Sequence, residues 1–221
     1  MNVLMSAGGG HGTVYIWKRC SGLNMMTRPD TWTVFGRPYD HRDYPPPSAS
    51  QQFPKRAAGI RIDLGKTIGE NLLQALAKHQ PNWCLLTGLI SEKAPWLTVN
   101  RLKIYGLVRH PLDAAASFLL HRHPEVVSKW YDGNHAAAFE WYGQWWSAVV
   151  KDFLMSGSEI WRYEDMPAAC GHVPELYNRI AAGWKTPKLN HRIGELKEEW
   201  CDLVWNGVKC VFGDAGYDRW K

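Results

Sequence analysis

Lys103–His121 reads KIYGLVRHPLDAAASFLLH, and the turn of character at Arg109 decides how the chain is to be folded. Ile104 to Val108 is a short apolar run, the pattern of a buried strand. Arg109 follows it directly. Pro111 stops the strand and suits the first turn of a helix, where its missing N–H is not needed. Asp113 stands in that turn, where a carboxylate complements the helix dipole. Ser117 comes eight residues after Arg109, just over one turn into the helix. A strand end that feeds a helix start is where open parallel sheets bind ligands. An arginine fork and a hydroxyl converging there can hold a phosphate. Taken alone, such an arginine is as readily a surface charge or an ion-pair partner, so the neighbouring segments carry the decision.

Working outward, Val3–Ser6 is another apolar run, followed by Ala7 and the glycine cluster Gly8-Gly9-Gly10-His11-Gly12-Thr13; Val14–Cys20 can continue as helix. Trp83–Thr87 and Ser158–Arg162 are further strand candidates. Thr67–His79 has Ile68, Leu72, Ala75 and Leu76 on one helical face. Ala138–Leu154 is the strongest helix, with Phe139, Tyr142, Trp146, Val149 and Phe153 at spacings of three and four, and Gly157 stops it. A last helix runs near Glu195–Val211. Strands alternating with helices predict an α/β fold, a mainly parallel central sheet flanked by helices, in a single domain over 1–221. Residues 27–60 differ: rich in Pro, Arg, Asp and Tyr, with Pro45-Pro46-Pro47 and no apolar period, they read as a long irregular excursion.

Composition bounds the partners. The 221 residues are 45% hydrophobic and 21% charged, a globular balance with enough chain for a sizeable core. No 18-residue apolar span occurs, so no membrane span is expected. The start, MNVLMSAGGGHG, has neither the basic segment nor the apolar length of a secretion signal, which points to a cytoplasmic protein. The five cysteines (Cys20, Cys84, Cys170, Cys201, Cys210) are scattered and form no CxxC, so reduced thiols are expected, with no disulfide framework and no metal site. A net charge of +5 suits an anionic ligand; no Lys/Arg run or nucleic-acid motif speaks for nucleic acid. The 13 tryptophans are expected mostly in the core.

Three more segments bear on chemistry. Backbone N–H groups in a glycine-rich turn before a helix make an anion cradle, and glycine lets the ligand come close. The nucleotide-hydrolase pattern GxxxxGK followed by Ser or Thr is absent from Gly8–Thr13, which has no lysine. Gly65-Lys66-Thr67 carries the GKT ending, but the first glycine would fall on Ile60, so it reads as a turn and a helix start. Ser91-Glu92-Lys93-Ala94-Pro95-Trp96 follows the Trp83–Thr87 run, and Arg162-Tyr163-Glu164-Asp165-Met166 ends the Ser158–Arg162 run.

In this order the segments resemble the sulfotransferase superfamily that uses 3′-phosphoadenosine 5′-phosphosulfate (PAPS). The family shows a strand and Gly/Ser/Thr loop, then Asp/Glu-Lys-x-Pro, then Val-Arg-x-Pro-x-Asp-x-x-x-Ser, then Arg-Tyr-Glu-Asp-Leu. This chain has Glu92-Lys93-Ala94-Pro95, Val108-Arg109-His110-Pro111-Leu112-Asp113 with Ser117, and Arg162–Met166. His191–Leu196 and Gly216-Tyr217 resemble the family's late R-x-G-x-W segment and closing GY. The resemblance spans nearly the whole chain apart from 27–60. It implies a three-layer P-loop-like fold and transfer of a sulfonate from PAPS to a hydroxyl or amine of a small-molecule or glycan acceptor. It also implies that Arg109 and Ser117, with Arg192, bind the 3′-phosphate, and that Gly9, Gly10, His11, Gly12, Thr13 and Val14 cradle the 5′-phosphosulfate. Lys93 matches a lysine near the transferred group, and Glu164 and Asp165 match bracing positions.

One departure matters. Aligned on Gly12, Gly10 stands where the family has a basic residue, His11 replaces Ser or Ala, and Val14 replaces the second Thr. Charge that grows on the bridging oxygen must be countered. Lys93 is expected to do so, with His11 contributing. His41 and Asp40 in the excursion are the candidate general bases, with His11 as another option. Two alternatives stay open: a related fold that binds a nucleotide or partner with weakened chemistry, and a P-loop kinase, which the missing loop lysine disfavours.

Overall fold

The computed structural model describes residues 2–6, 10–12, 15, 16, 19, 25, 26, 33, 34, 37, 38, 83–87, 103–184 and 192–218. The apolar runs form β1 (Asn2–Ser6), β5 (Trp83–Thr87), β6 (Lys103–Val108) and β7 (Glu159–Arg162). A two-residue strand, β2 (Met25–Met26), joins them, and β3 (Thr33–Val34) and β4 (Arg37–Pro38) make a separate antiparallel ladder. That ladder gives the excursion, expected to be irregular, a small element of pairing. The main sheet has five strands in the order β2-β5-β1-β6-β7, and every pair is parallel. The α/β class and parallel sheet expected from the sequence are therefore present.

Alternation along β1 explains why both faces are covered. Val3 and Met5 point into a core with Val108, Leu112, Phe139, Trp146 and Phe153. Leu4 points to the other face, with Tyr105, Leu107, Trp161, Ile16, Leu176 and Ile180. On the first face lie α1 (Pro111–Ala116), which runs into a π turn at Ser117–Arg122, then α2 (Pro124–Trp130), α3 (His135–Met155) and α5 (Glu198–Val208). On the second lies α4 (Pro174–Ala181).

α3 begins where Asn134 accepts from the Ala137 N–H at 3.1 Å and ends before Gly157, whose φ of +69° only glycine adopts freely. All five periodic residues of the sequence reading, Phe139 to Phe153, are fully buried. α3 meets α5 through two glycines: a Cβ on Gly143 would lie 2.6 Å from the Val204 carbonyl oxygen, and one on Gly207 2.5 Å from the Gly143 carbonyl carbon. Trp145, Trp146 and Trp161 are buried and Trp130, Trp141, Trp200 and Trp205 pack partly buried against the core, as the apolar reading of the tryptophans expects. Among the described cysteines Cys170 and Cys201 are buried thiols and Cys210 is exposed. Among the described residues no helix is long and apolar enough to cross a membrane. The expected Thr67–His79 helix and most of Val14–Cys20 lie outside the described residues.

The strand order positions the site. From β1 the chain leaves toward β2 at one edge, returns to β5, crosses to β6 and continues outward to β7. Adjacent strands β1 and β6 thus send their connections to opposite edges. The crevice between their carboxyl ends is a topological switch point, the place where open α/β sheets take ligands.

Candidate anion-binding site

Both segments singled out in the sequence emerge at that crevice. The turn Gly10–Gly12 follows β1, and Arg109 follows β6. Gly10 has φ +86°, and a Cβ there would lie 2.2 Å from the Ala114 carbonyl oxygen of α1. Gly12 has φ +75°, and its Cβ would fall 2.1 Å from the ring of Tyr163. Glycine is required twice over, by backbone conformation and by contact. The N–H groups of Tyr15 and Ile16 donate to the Gly12 carbonyl at 2.9 and 3.1 Å, so a helical turn starts directly behind the glycines.

Arg109 bridges the two connections. Its Nη1 donates to the Gly10 carbonyl at 3.2 Å, and its Nη2 lies 3.9 Å from Asp113 Oδ2. Its guanidinium sits 5.6 Å from the centre of the Tyr163 ring, a cation–π arrangement. Arg109 Nε is buried and has no hydrogen-bond partner among the described residues. Orphaned buried donors are rare, and one on a guanidinium at this crevice suits an anion acceptor.

The backbone around Arg109 is held by side chains. Its N–H donates to His11 Nδ1 at 3.0 Å, and its carbonyl accepts from Trp146 Nε1 at 3.0 Å. The next N–H, of His110, donates to Glu164 Oε1 at 2.7 Å. Glu164 Oε2 in turn accepts from the Tyr217 hydroxyl at 2.9 Å. Burial raises the Glu164 carboxyl pKa, against the hydrogen bonds that favour its charge. Tyr217 is pushed well above the usual phenol range, first by burial and then by the Glu164 carboxylate. Arg162 closes this corner by donating to Asp165 and to the Gly216 carbonyl, with its guanidinium over the Tyr217 ring. The contacts of Glu164 and Asp165 are those of braces between β7, α1 and the end of the chain.

His11 is fully buried. Nδ1 accepts from Arg109, so the ring proton sits on Nε2, 3.2 Å from the Tyr142 hydroxyl on α3. Burial, then the Arg109 charge, lowers its pKa to about 3. With both nitrogens engaged inside the protein and the ring neutral, the charge-countering share expected of His11 has no free N–H behind it; the imidazole is a brace.

Asp113, also buried, accepts the Arg192 N–H on Oδ1 at 3.0 Å. This brings Arg192, 79 positions later, to the same helix start as Arg109. Arg192 Nη1 is 3.8 Å from Glu195, which also pairs with His121 at 2.5 Å. Ser117 is buried, opens the π turn and stands four residues after Asp113, so both lie on one helical face. Short π segments recur at functional sites. Gly10, His11, Gly12, Arg109 and Arg192 are therefore drawn together around the two connections, with Ser117 on the adjoining face. Gly9, Thr13, Val14, Lys93 and His41 lie outside the described residues.

Sequence reasoning missed two members. Tyr142 and Trp146 read as core by their period, and they are buried, yet their polar tips reach His11 and Arg109. Buried Tyr and Trp need a hydrogen-bond partner, and that need is the signal in the sequence that could have found them.

No family model, no curated protein and no solved structure matches the chain.

Proposed function

We propose that the protein is a sulfotransferase that moves a sulfonate from PAPS to a hydroxyl or amine of a small-molecule or glycan acceptor, on a P-loop-like fold. One observation supports this above the others: Arg109 leaves β6 and bonds to the Gly10 carbonyl after β1, so the two anion-handling segments meet at the switch point. The residues present fit the donor. Gly10 and Gly12 keep the turn free of side chains, and Arg109 retains a buried donor with no partner among the described residues. Bound PAPS would supply the sulfonate and a good leaving group, adenosine 3′,5′-bisphosphate.

The chain's own residues then divide the work. Arg109, Ser117 and Arg192 take the 3′-phosphate, and the turn around Gly9–Val14 takes the 5′-phosphosulfate. Lys93 counters charge on the bridging oxygen, since Gly10 has no side chain to do so. His41 accepts the acceptor's proton. Tyr163 is not a base: burial raises its hydroxyl pKa to about 12, against the lowering effect of Arg109.

Calorimetry with adenosine 3′,5′-bisphosphate, paired with transfer of labelled sulfonate from PAPS to a panel of phenols, sugars and amines, tests this reading. Binding and transfer support it. Absence of binding overturns it. A second reading, a nucleotide-binding protein with weakened chemistry, is favoured by the side-chain-free Gly10 and the neutral His11. Binding without transfer to any acceptor would decide for it. ATP with Mg²⁺ in the same titration covers the kinase alternative.

A further inference from the structure

We infer that His11 is a positioning residue: backed by Tyr142, it clamps the backbone of Arg109 and so aims the guanidinium at the 3′-phosphate, a role that rests on the function proposed above. β6 ends at Val108, so Arg109 is the first residue without a strand ladder to hold it. Three consecutive main-chain groups are held by side chains instead: the Arg109 N–H by His11, the Arg109 carbonyl by Trp146 and the His110 N–H by Glu164. Trp146 comes from α3 and Glu164 from the turn after β7. His11 comes from the glycine turn itself. That turn therefore grips Arg109 at two points, by imidazole at the backbone and by the adjacent Gly10 carbonyl at Nη1.

The imidazole suits this task because its acceptor and donor lie on opposite edges of one rigid ring. Nδ1 faces Arg109, and Nε2–H faces Tyr142 at 3.2 Å. The Arg109 N–H, which can only donate, fixes the tautomer with Nδ1 as acceptor, and the Tyr142 hydroxyl accepts the remaining Nε2–H. The edge of Trp145, 5.9 Å away between ring centres, packs against the ring and limits its rotation. The Ser or Ala of the family pattern has no ring to span these partners, so the clamp is this chain's own device. Gly10 lacks the basic side chain of that pattern, and a fixed Arg109 beside it keeps positive charge on the turn.

The test compares adenosine 3′,5′-bisphosphate with adenosine 5′-phosphate, by calorimetry on the full chain. Wild type prefers the bisphosphate, because Arg109 reads the 3′-phosphate. In His11→Leu the Arg109 N–H loses its acceptor, and the ratio of the two affinities falls by about tenfold, whatever is lost on the 5′-phosphate that both nucleotides share. His11→Asn restores an acceptor near the Nδ1 position and recovers most of the preference. A general loss of structure lowers both affinities together, which overturns the positioning role. Should His11→Leu not fold, Tyr142→Phe replaces it: losing the oxygen that anchors Nε2–H lets the ring shift from the Arg109 N–H and lowers the preference by about threefold. Unchanged preference in these variants, beside a selective wild type, overturns the inference alone. A wild type that binds both nucleotides equally overturns the Arg109 assignment and this inference with it.

Discussion

Lowering the pH should destabilise this protein through His11 in a way that one substitution removes. The imidazole is fully buried, and burial followed by the Arg109 charge holds its pKa at about 3 in the folded state, against an ordinary value of 6.5. Between those values the unfolded chain binds a proton that the folded chain refuses. Stability therefore rises with pH across the window, is fully present above 6.5, and is lost as pH falls toward 3. At pH 5 the loss relative to pH 8 is about 2 kcal/mol, from about 1.4 kcal/mol per pH unit over roughly one and a half units below the ordinary value. Glu164 acts in the opposite sense, since burial raises its folded pKa, but it contributes equally to wild type and to a His11 variant. The assay is urea unfolding at a series of pH values from about 4.5 to 8 for wild type and His11→Asn. The wild-type free energy should fall by about 2 kcal/mol more than the variant's between pH 8 and pH 5. Parallel curves would refute the reasoning, because they would mean that the folded protein protonates His11 as readily as the unfolded chain does.

Arg109→Ala should weaken adenosine 3′,5′-bisphosphate binding by about 2–4 kcal/mol, the scale for removing one partner of a desolvated charged pair, and Ser117→Ala by about 1 kcal/mol, both by calorimetry. Gly10→Ala should destabilise the fold by about 2–4 kcal/mol in thermal or urea unfolding, since a Cβ at φ +86° meets the Ala114 carbonyl oxygen at 2.2 Å and backbone cannot step aside. Lys93→Ala should lower sulfonate transfer by about 10²–10³-fold with little change in nucleotide affinity, because its effect belongs to the transition state. A parallel loss of affinity would place Lys93 in ground-state binding instead.

Local sequence is enough for the elements and for the two ends of the site. Apolar runs such as Val3–Ser6 and Ile104–Val108 are strands because a buried strand is a local pattern of side-chain solvation, and the period from Phe139 to Phe153 is a helix for the same reason. Arg109 and the glycine turn stand out because a strand end followed by Pro, or by consecutive glycines, is also a local signal. Which groups face one another follows from the tertiary arrangement instead. His11 and Arg109 are 98 positions apart, and Glu164 is 54 from His110. Their contacts exist because the order β2-β5-β1-β6-β7 sets β1 beside β6 and β6 beside β7. The same is true of His11's chemistry: in the chain it reads as a charge-countering donor, and in the fold it is a neutral acceptor because packing against α3 removes water from both nitrogens. Asp113 reads as a charge on a helix dipole, and it also carries the backbone of Arg192, a partner that arrives only when the chain after α4 folds back. Pairing partners and desolvation belong to the whole fold, since both depend on residues distant in the chain arriving together.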